Sequence, residues 1–465
     1  MNDLTFSSAS KLAAAIRRKD VSSLEVIEAH LGQIERVDPR LNAVVRVLAD
    51  AARSAARGAD AALARGDSPG PFHGVPMTVK DAWEVAGVPS TGGTLGRTGY
   101  IPQRDATVIA RMRAAGAIPI GMTNLPELSM AFEADNLVHG RTNNPYDHAR
   151  TPGGSGGGGA AAIAAGMSPM EIGADLGGSI RLPSHFSGIA GIRPTTGRVP
   201  LTGYFPPPFG WVSHFAAAGP MARTVEDLAA ALMVVAGPDW IDSAVHEVPL
   251  LDPRAVAVKG LRVAFHTDNG IMPARADVSA VIVSAAKALE SAGATVEEAR
   301  PAGIEQCMDI FMGIAGADGG EGLRTLLGLV GTRRTHALLD AMLALSGEPK
   351  SAAFLQGMWV QVSIYRSTML SFLRNYDVIL CPVHALPAVE HGTSVHPDVL
   401  PAFSYTIAYN LTGWPGAVVR CGSSSEGLPV GVQTVARPWR EDVALAAASQ
   451  LEIALGGYQK PVLFH

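Results

Sequence analysis

Hydrophobic spacing changes character along the chain. In residues 22–37, Leu24, Ile27, Leu31 and Ile34 fall on one helical face, and Ser22 with Glu25 has capping-box spacing. Residues 41–65, rich in Ala, Arg and Val, are expected to continue as a second helix ended by Gly66. From Gly74 to about Gly237 the texture shifts. Short apolar runs (Val75–Val79, Ala117–Gly121, Met170–Gly173) alternate with Gly-rich turns and Ala-rich helical stretches (Thr107–Ala115, Gly157–Ala165, Val225–Val235). Strands alternating with helices predict an α/β layer structure with both sheet faces covered.

The pattern loosens at Gly237–Lys259, where Pro238, Pro249 and Pro253 sit in a polar setting. It resumes as a strand (Leu261–His266), a helix (Val278–Ala292) and a strand (Thr295–Ala299), and residues 303–375 read as largely helical. An apolar strand, Val378–Pro382, leads into a loop with His384, His391 and His396, taken as loop histidines. Strands within Val418–Val435 and a helix over Glu441–Leu455 complete the chain. There is no internal repeat, and the loose stretch reads as a surface excursion. Residues 1–465 are therefore expected to form a single domain: N-terminal helices to 70, a core over 71–237, a variable helical region over 238–375, and the rest of the core over 376–465.

Composition narrows the classes. Hydrophobic residues make up 47% and charged residues 17%, which excludes wholesale disorder. Thirty-seven basic against 42 acidic residues leave a net charge of −5, against a nucleic-acid or anionic-membrane surface. Cys307, Cys381 and Cys421 are far apart and form no CxxC or CxxH spacing, which excludes a disulfide scaffold, disfavours zinc and points to a reducing cytoplasm. Met1 to Asp20 carries Asp3 and no uninterrupted apolar run, so it does not read as a signal peptide. No apolar run approaches the roughly 18 residues of a membrane span.

Glycine numbers 51 and is concentrated. The segment Thr151-Pro-Gly-Gly-Ser-Gly-Gly-Gly-Gly-Ala160 lacks the Lys of a phosphate-cradling loop. Asp175 stands where a dinucleotide site would want an acid, but the polar run before Pro152 makes a poor strand. A flexible linker is the bland alternative, set against the helix-forming run that begins at Ala160. Downstream, Gly177-Gly178-Ser179 lets several N–H groups converge on one point, as an oxyanion would require if Ser179 were a nucleophile. On its own such a triplet is more often an ordinary loop. No G-x-S-x-G elbow or His motif accompanies it, which leaves Ser–Lys chemistry. Lys80, directly after Val75–Val79, is the candidate, with a strand-end lysine reaching solvent as the plain alternative.

Together these segments resemble the amidase signature family of serine hydrolases. The resemblance runs through Gly74–Asp81, Ala106–Leu125, Asn144–Gly166, Gly173–Arg198, Gly219–Gly237, Tyr376–Pro382 and Asn410–Pro438, about half of the chain. It implies a three-layer α/β/α fold with a large central mixed sheet. It also implies a triad in which Ser179 matches the nucleophile, Ser155 the serine preceded by a cis peptide, and Lys80 the base. The N–H groups of Leu176, Gly177, Gly178 and Ser179 match the oxyanion hole. Gly156 departs from the second serine that many members carry there. Asp175 and Arg181 match positions that are structural.

The family implies no metal and no organic cofactor. A buried amine sheds its charge more readily than an exposed one, which suits Lys80 to accept a proton relayed from Ser179 through Ser155. Family substrates are carboxamides, with esters, carbamates (urethanes) and the amide of glutamine among them. The stretch Gly203–Trp211 holds Tyr204, Phe205 and Phe209 around three prolines and is expected at the rim of an apolar pocket, with Met122 as a further substrate contact. Met308, Phe311, Met312, Met342, Phe354, Met358 and Trp359 are candidates to line a channel, although such stripes are more often core. An apolar small-molecule amide is the expected partner, with a homodimer open. The alternatives are a glutaminase-like subunit of a tRNA-dependent amidotransferase and a non-catalytic binding protein, which retention of Lys80, Ser155 and Ser179 argues against.

Overall fold

Apolar strands need cover on both faces, and the chain provides it around one sheet. The computed structural model describes residues 4–464; Met1–Asp3, on which part of the N-terminal reading rests, and His465 lie outside them. The strands are β1 (Val44–Val47), β2 (Pro76–Lys80), β3 (Ile118–Thr123), β4 (Met170–Asp175), β5 (Ala190–Arg193), β6 (Ala217–Ala222), β7 (Arg262–Phe265), β8 (Thr295–Glu298), β9 (Val378–Pro382), β10 (Gly416–Ser423) and β11 (Pro429–Ala436). They form one 11-stranded sheet in the order β1-β3-β2-β4-β6-β5-β10-β11-β9-β7-β8. Strands β3, β2 and β4 run parallel, as do β9, β7 and β8, while the pairings from β4 through β6, β5, β10 and β11 to β9 are antiparallel. The sheet is mixed, and helices on both faces complete three α/β/α layers.

Each face has its own core. Helices Val225–Val235, Ala276–Ser291 and Glu441–Leu455 cover one side, meeting Val79, Ile172, Ala218 and Val419. Helices Gly157–Ala164, Arg181–Phe186 and Ser404–Thr412 lie on the other. The period-2 alternation of a strand then sorts side chains. Met77 and Val79 of β2 and Met170, Ile172 and Ala174 of β4 join the first core. Lys80, Glu171 and Asp175 therefore share the opposite face, under the short helix Gly157–Ala164.

Several expected elements shift. The capping box forms, with Ser22 Oγ accepting from Glu25 N–H and Glu25 accepting from Ser22 N–H, and the helix runs Ser23–Leu41. The stretch 41–65 is not one helix. Asn42, at φ 53°, turns the chain into β1 before the helix Ala49–Arg65 begins. Strands β5 and β6 carry no clear sequence signal, because Ala190–Arg193 and Ala217–Ala222 lack the β-branched runs that mark a strand. Among the described residues, no helix is long and apolar enough to cross a membrane.

Candidate active site

The Gly-rich segment is no linker: residues 151–159 are all buried. The Gly154–Ser155 peptide is cis. Small residues after it allow the helix Gly157–Ala164 to lie close on the sheet, and a Cβ at Gly158 would meet the backbone of Asn124. Gly156 N–H donates to the Ser179 carbonyl at 3.1 Å, tying this segment to the one that carries Ser179.

Three residues from distant parts of the sequence gather here. Lys80, fully buried at the end of β2, has its Nζ 2.6 Å from Ser155 Oγ and 3.0 Å from the Tyr204 hydroxyl. Ser155 and Ser179 both face one cavity of about 480 Å³. Lys80 stands behind the wall and reaches the cavity only through its hydroxyl partners.

The turn that carries Ser179 is held by a buried carboxylate. Asp175 Oδ1 accepts from Gly178 N–H (2.8 Å), from Arg181 Nη2 (3.0 Å) and from Asn410 Nδ2 (2.9 Å), while Oδ2 accepts from Arg181 Nε (3.0 Å) and Ile180 N–H (3.2 Å). Burial opposes its charge, but Arg181, Arg193 and Asn410 outweigh it and hold the carboxyl well below the usual range. Gly178 sits at φ 125°, and a Cβ there would lie 2.5 Å from Thr406 Oγ1, so the turn requires glycine. Four N–H groups were expected to face an oxyanion. Gly178 gives its own to Asp175, whereas those of Leu176, Gly177 and Ser179 make no intramolecular hydrogen bond among the described residues.

The cavity wall is largely apolar. It draws Leu128 and Phe132 from one loop, Tyr204, Phe209 and Trp211 from another, and Phe311, Met312, Leu326, Leu329 and Met342 from the helices 307–345. Phe209 and Leu329 are 78% and 80% exposed, so its mouth is apolar as well. Phe205 turns away from the cavity: its ring lies 3.7 Å from the Arg97 guanidinium carbon, beside Leu327, Leu339 and Leu343. Met122 pairs with Val79 across β3 and β2 and joins the core on the other face of the sheet, away from Lys80. Of the helical stripe, Phe311, Met312 and Met342 line the cavity, Met308, Met358 and Trp359 pack against the neighbouring core, and Phe354 is 38% exposed. His384 is buried edge-on to Phe403 (4.5 Å), where desolvation pushes its pKa down to about 3; His396 is exposed.

Two polar residues near Lys80 carried no sequence signal. Ser129 lies in the wall with its Oγ 2.9 Å from the Tyr204 hydroxyl. Glu171, fully buried on β4, accepts from Thr123 Oγ1 at 2.8 Å and fits only because Gly159 has no Cβ. Desolvation raises its pKa to about 7, against the partial opposition of hydroxyl donors and Lys80.

The family model for Amidase matches residues 25–445. The chain belongs to the amidase signature family. It is 35% identical to a glutamyl-tRNA(Gln) amidotransferase subunit of Anaeromyxobacter dehalogenans (strain 2CP-C), over 96% of each chain. It is 32% identical to human fatty-acid amide hydrolase 2, over 98% of this chain and 90% of that one. Among solved structures, a bacterial aryl acylamidase of the amidase signature family superposes with a TM-score of 0.85 at 28% identity, covering 97% of this chain and 96% of that one. As a member of this family the protein is a hydrolase acting on the C–N bond of amides.

Two buried carboxyls of this family member, Glu171 and Asp175, contribute to its stability with opposite sign. Below pH 4.5 Glu171 is protonated whether the chain is folded or not; between 4.5 and about 7 only the unfolded chain ionises, so stability falls as pH rises through that window. Glu171→Gln removes this loss. The variant should gain on the wild type between pH 4 and 8 by on the order of 3 kcal/mol in urea unfolding, and a pH-independent difference would refute the assignment. Asp175→Asn leaves Arg181 and Arg193 buried without their counter-charge and should cost about 3 kcal/mol or more by the same measurement.

Proposed function

We propose that the protein hydrolyses amides with an apolar acyl or aryl group through an acyl-enzyme at Ser179, with Ser155 and Lys80 as proton relay. The observation that carries this reading is the 2.6 Å contact between the buried Lys80 amine and Ser155 Oγ, in the wall that also presents Ser179. Ser179 Oγ attacks the substrate carbonyl and passes its proton to Ser155, whose own proton goes to Lys80 Nζ. The tetrahedral oxyanion receives the N–H groups of Leu176, Gly177 and Ser179. Collapse breaks the C–N bond as Lys80 returns the proton through Ser155 to the leaving nitrogen. Water then cleaves the acyl ester by the same route in reverse.

The cavity favours apolar substrates over glutamine. Its charged lining residues are both carboxylates, Asp175 and Asp318; the first is tied to Arg181, and the second accepts from Gly320 and Gly322 N–H. The α-carboxylate of glutamine would find no cationic side chain among these lining residues. Relatives named for fatty-acid amides and aryl acylamides support an apolar acyl or aryl group, and the proposal extends to linear aryl amides, carbamates and urethanes. The relative named as part of an amidotransferase keeps the glutaminase-like alternative in view, and the purified chain tested alone separates the two.

A fluorophosphonate probe should label Ser179, and labelling should vanish in Ser179→Ala and fall sharply in Lys80→Ala. Label retained at full strength by Ser179→Ala would sink the assignment. For acyl p-nitroanilides, kcat/KM should rise about fourfold per added methylene until the cavity is filled, from about 0.8 kcal/mol per buried CH₂. Trp211→Ala and Phe209→Ala should flatten that series. A flat series in the wild type, or glutamine as the better substrate, would overturn the apolar reading.

A further inference from the structure

A neutral lysine amine has two N–H groups and a single lone pair, so a base of this kind depends on where the lone pair points. Two hydroxyls contact Lys80 Nζ, those of Ser155 at 2.6 Å and Tyr204 at 3.0 Å, and each is able to donate or accept. Two arrangements are open. With the lone pair towards Ser155, the amine takes the serine's proton and gives an N–H to Tyr204. With the lone pair towards Tyr204, the phenol donates to it, Ser155 only accepts, and no proton can leave the serine.

We propose that Ser129 and Tyr204 form a two-hydroxyl lock that excludes the second, unproductive arrangement; the inference rests on Lys80 acting as the base. Ser129 Oγ lies 2.9 Å from the Tyr204 hydroxyl and offers the phenolic proton an acceptor other than the amine. With that proton committed to Ser129, the Tyr204 oxygen is left to accept from Lys80, and the lone pair of the amine faces Ser155.

The surroundings fix both members of the lock. The Tyr204 ring stands edge-on to Trp83, centroids 4.6 Å apart, and Trp83 Nε1 donates to the Ile172 carbonyl at 2.8 Å. The backbone beside it is laced to the segment after β2 by Phe205 N–H on the Ala82 carbonyl (2.8 Å) and Glu84 N–H on the Gly203 carbonyl (2.9 Å). Opposite, Leu128 and Ser129 adopt φ of 55° and 59°, two successive left-handed residues of which neither is glycine. Such conformations persist where the surroundings demand them. Here the turn is anchored by Leu128 N–H on the Gly92 carbonyl (2.8 Å) and puts the Ser129 hydroxyl against Tyr204. Ser129 and Tyr204 are positioning residues, acting through Lys80.

A double-mutant cycle on the purified enzyme with an anilide substrate tests the lock. Tyr204→Phe keeps the ring on Trp83 and removes the hydroxyl; Ser129→Ala leaves the phenolic proton free to turn onto the amine. Ser129→Ala should lower kcat about tenfold or more with KM within about twofold, whereas Tyr204→Phe, which removes the misdirecting proton together with an acceptor for the Lys80 N–H, should cost less. Ser129→Ala added to Tyr204→Phe should cost nothing further, because without the phenol there is no proton to misdirect. A serine loss of equal size in both backgrounds, or an unchanged kcat in Ser129→Ala while Lys80→Ala is inactive, overturns the lock. Full turnover by Lys80→Ala overturns instead the base assignment beneath it. Thermal unfolding of each variant checks that the fold is retained.

Discussion

An amine sealed from water among hydroxyls is the constraint around which this structure is arranged. Lys80 has no exposure and, among the described residues, no ion-pair partner; its nearest polar contacts are Ser155 and Tyr204. Burying an amine is costly unless its hydrogen bonds are made, and the two hydroxyls make them. Every neighbouring choice respects this. The helix Gly157–Ala164 is built of small residues so that it can close over the strand ends. The carboxylate of the region, Asp175, is committed to Arg181 and to the turn that carries Ser179. Glu171, on the same face, has its pKa raised to about 7 by desolvation, which limits its charge near neutrality.

Much of this was legible in the sequence because it depends on local pattern. The runs Val75–Val79 and Val378–Pro382 announced central strands, since burial on both faces leaves no polar alternation to obscure them. The two glycine segments announced the turns around Ser155 and Ser179. What stayed hidden depends on tertiary contact. Ser129 and Tyr204 are 75 residues apart, and nothing in either neighbourhood reports that they meet at Lys80. Phe205 looked equivalent to Phe209, but in this turn the neighbouring side chains of Tyr204 and Phe205 go to different places. Tyr204 faces the site, while Phe205 stacks on Arg97. Met122 failed because strand alternation places it on the face of the sheet that holds Val79, the reverse side from Lys80. Strand β1 was lost inside an Ala-rich stretch because four residues are too few to change the periodicity of the helix that follows.

The wall of the cavity follows a different logic from its floor. The floor is formed by Ser155, Ser179 and the turn from Leu176 to Gly178, where an added Cβ would meet the Ser179 carbonyl at Gly156 and the Thr406 side chain at Gly178. The wall comes from the loop that holds Phe209 and Trp211 and from helices 307–345, which are largely half-buried and rest on the core by one side. Substitutions there change the shape and polarity offered to substrate without disturbing Asp175 or Lys80. Side chains such as Leu329, 80% exposed, have little packing to lose. Specificity can therefore vary at low cost in stability, whereas the chemistry cannot. On the proposed reading, such an asymmetry is compatible with one family, matched here over residues 25–445, containing relatives named as a glutamyl-tRNA(Gln) amidotransferase subunit, a fatty-acid amide hydrolase and an aryl acylamidase. If the proposed chemistry holds, the substrate is distinguished by the wall residues Phe209, Trp211, Met312 and Leu329 rather than by the serines and the lysine.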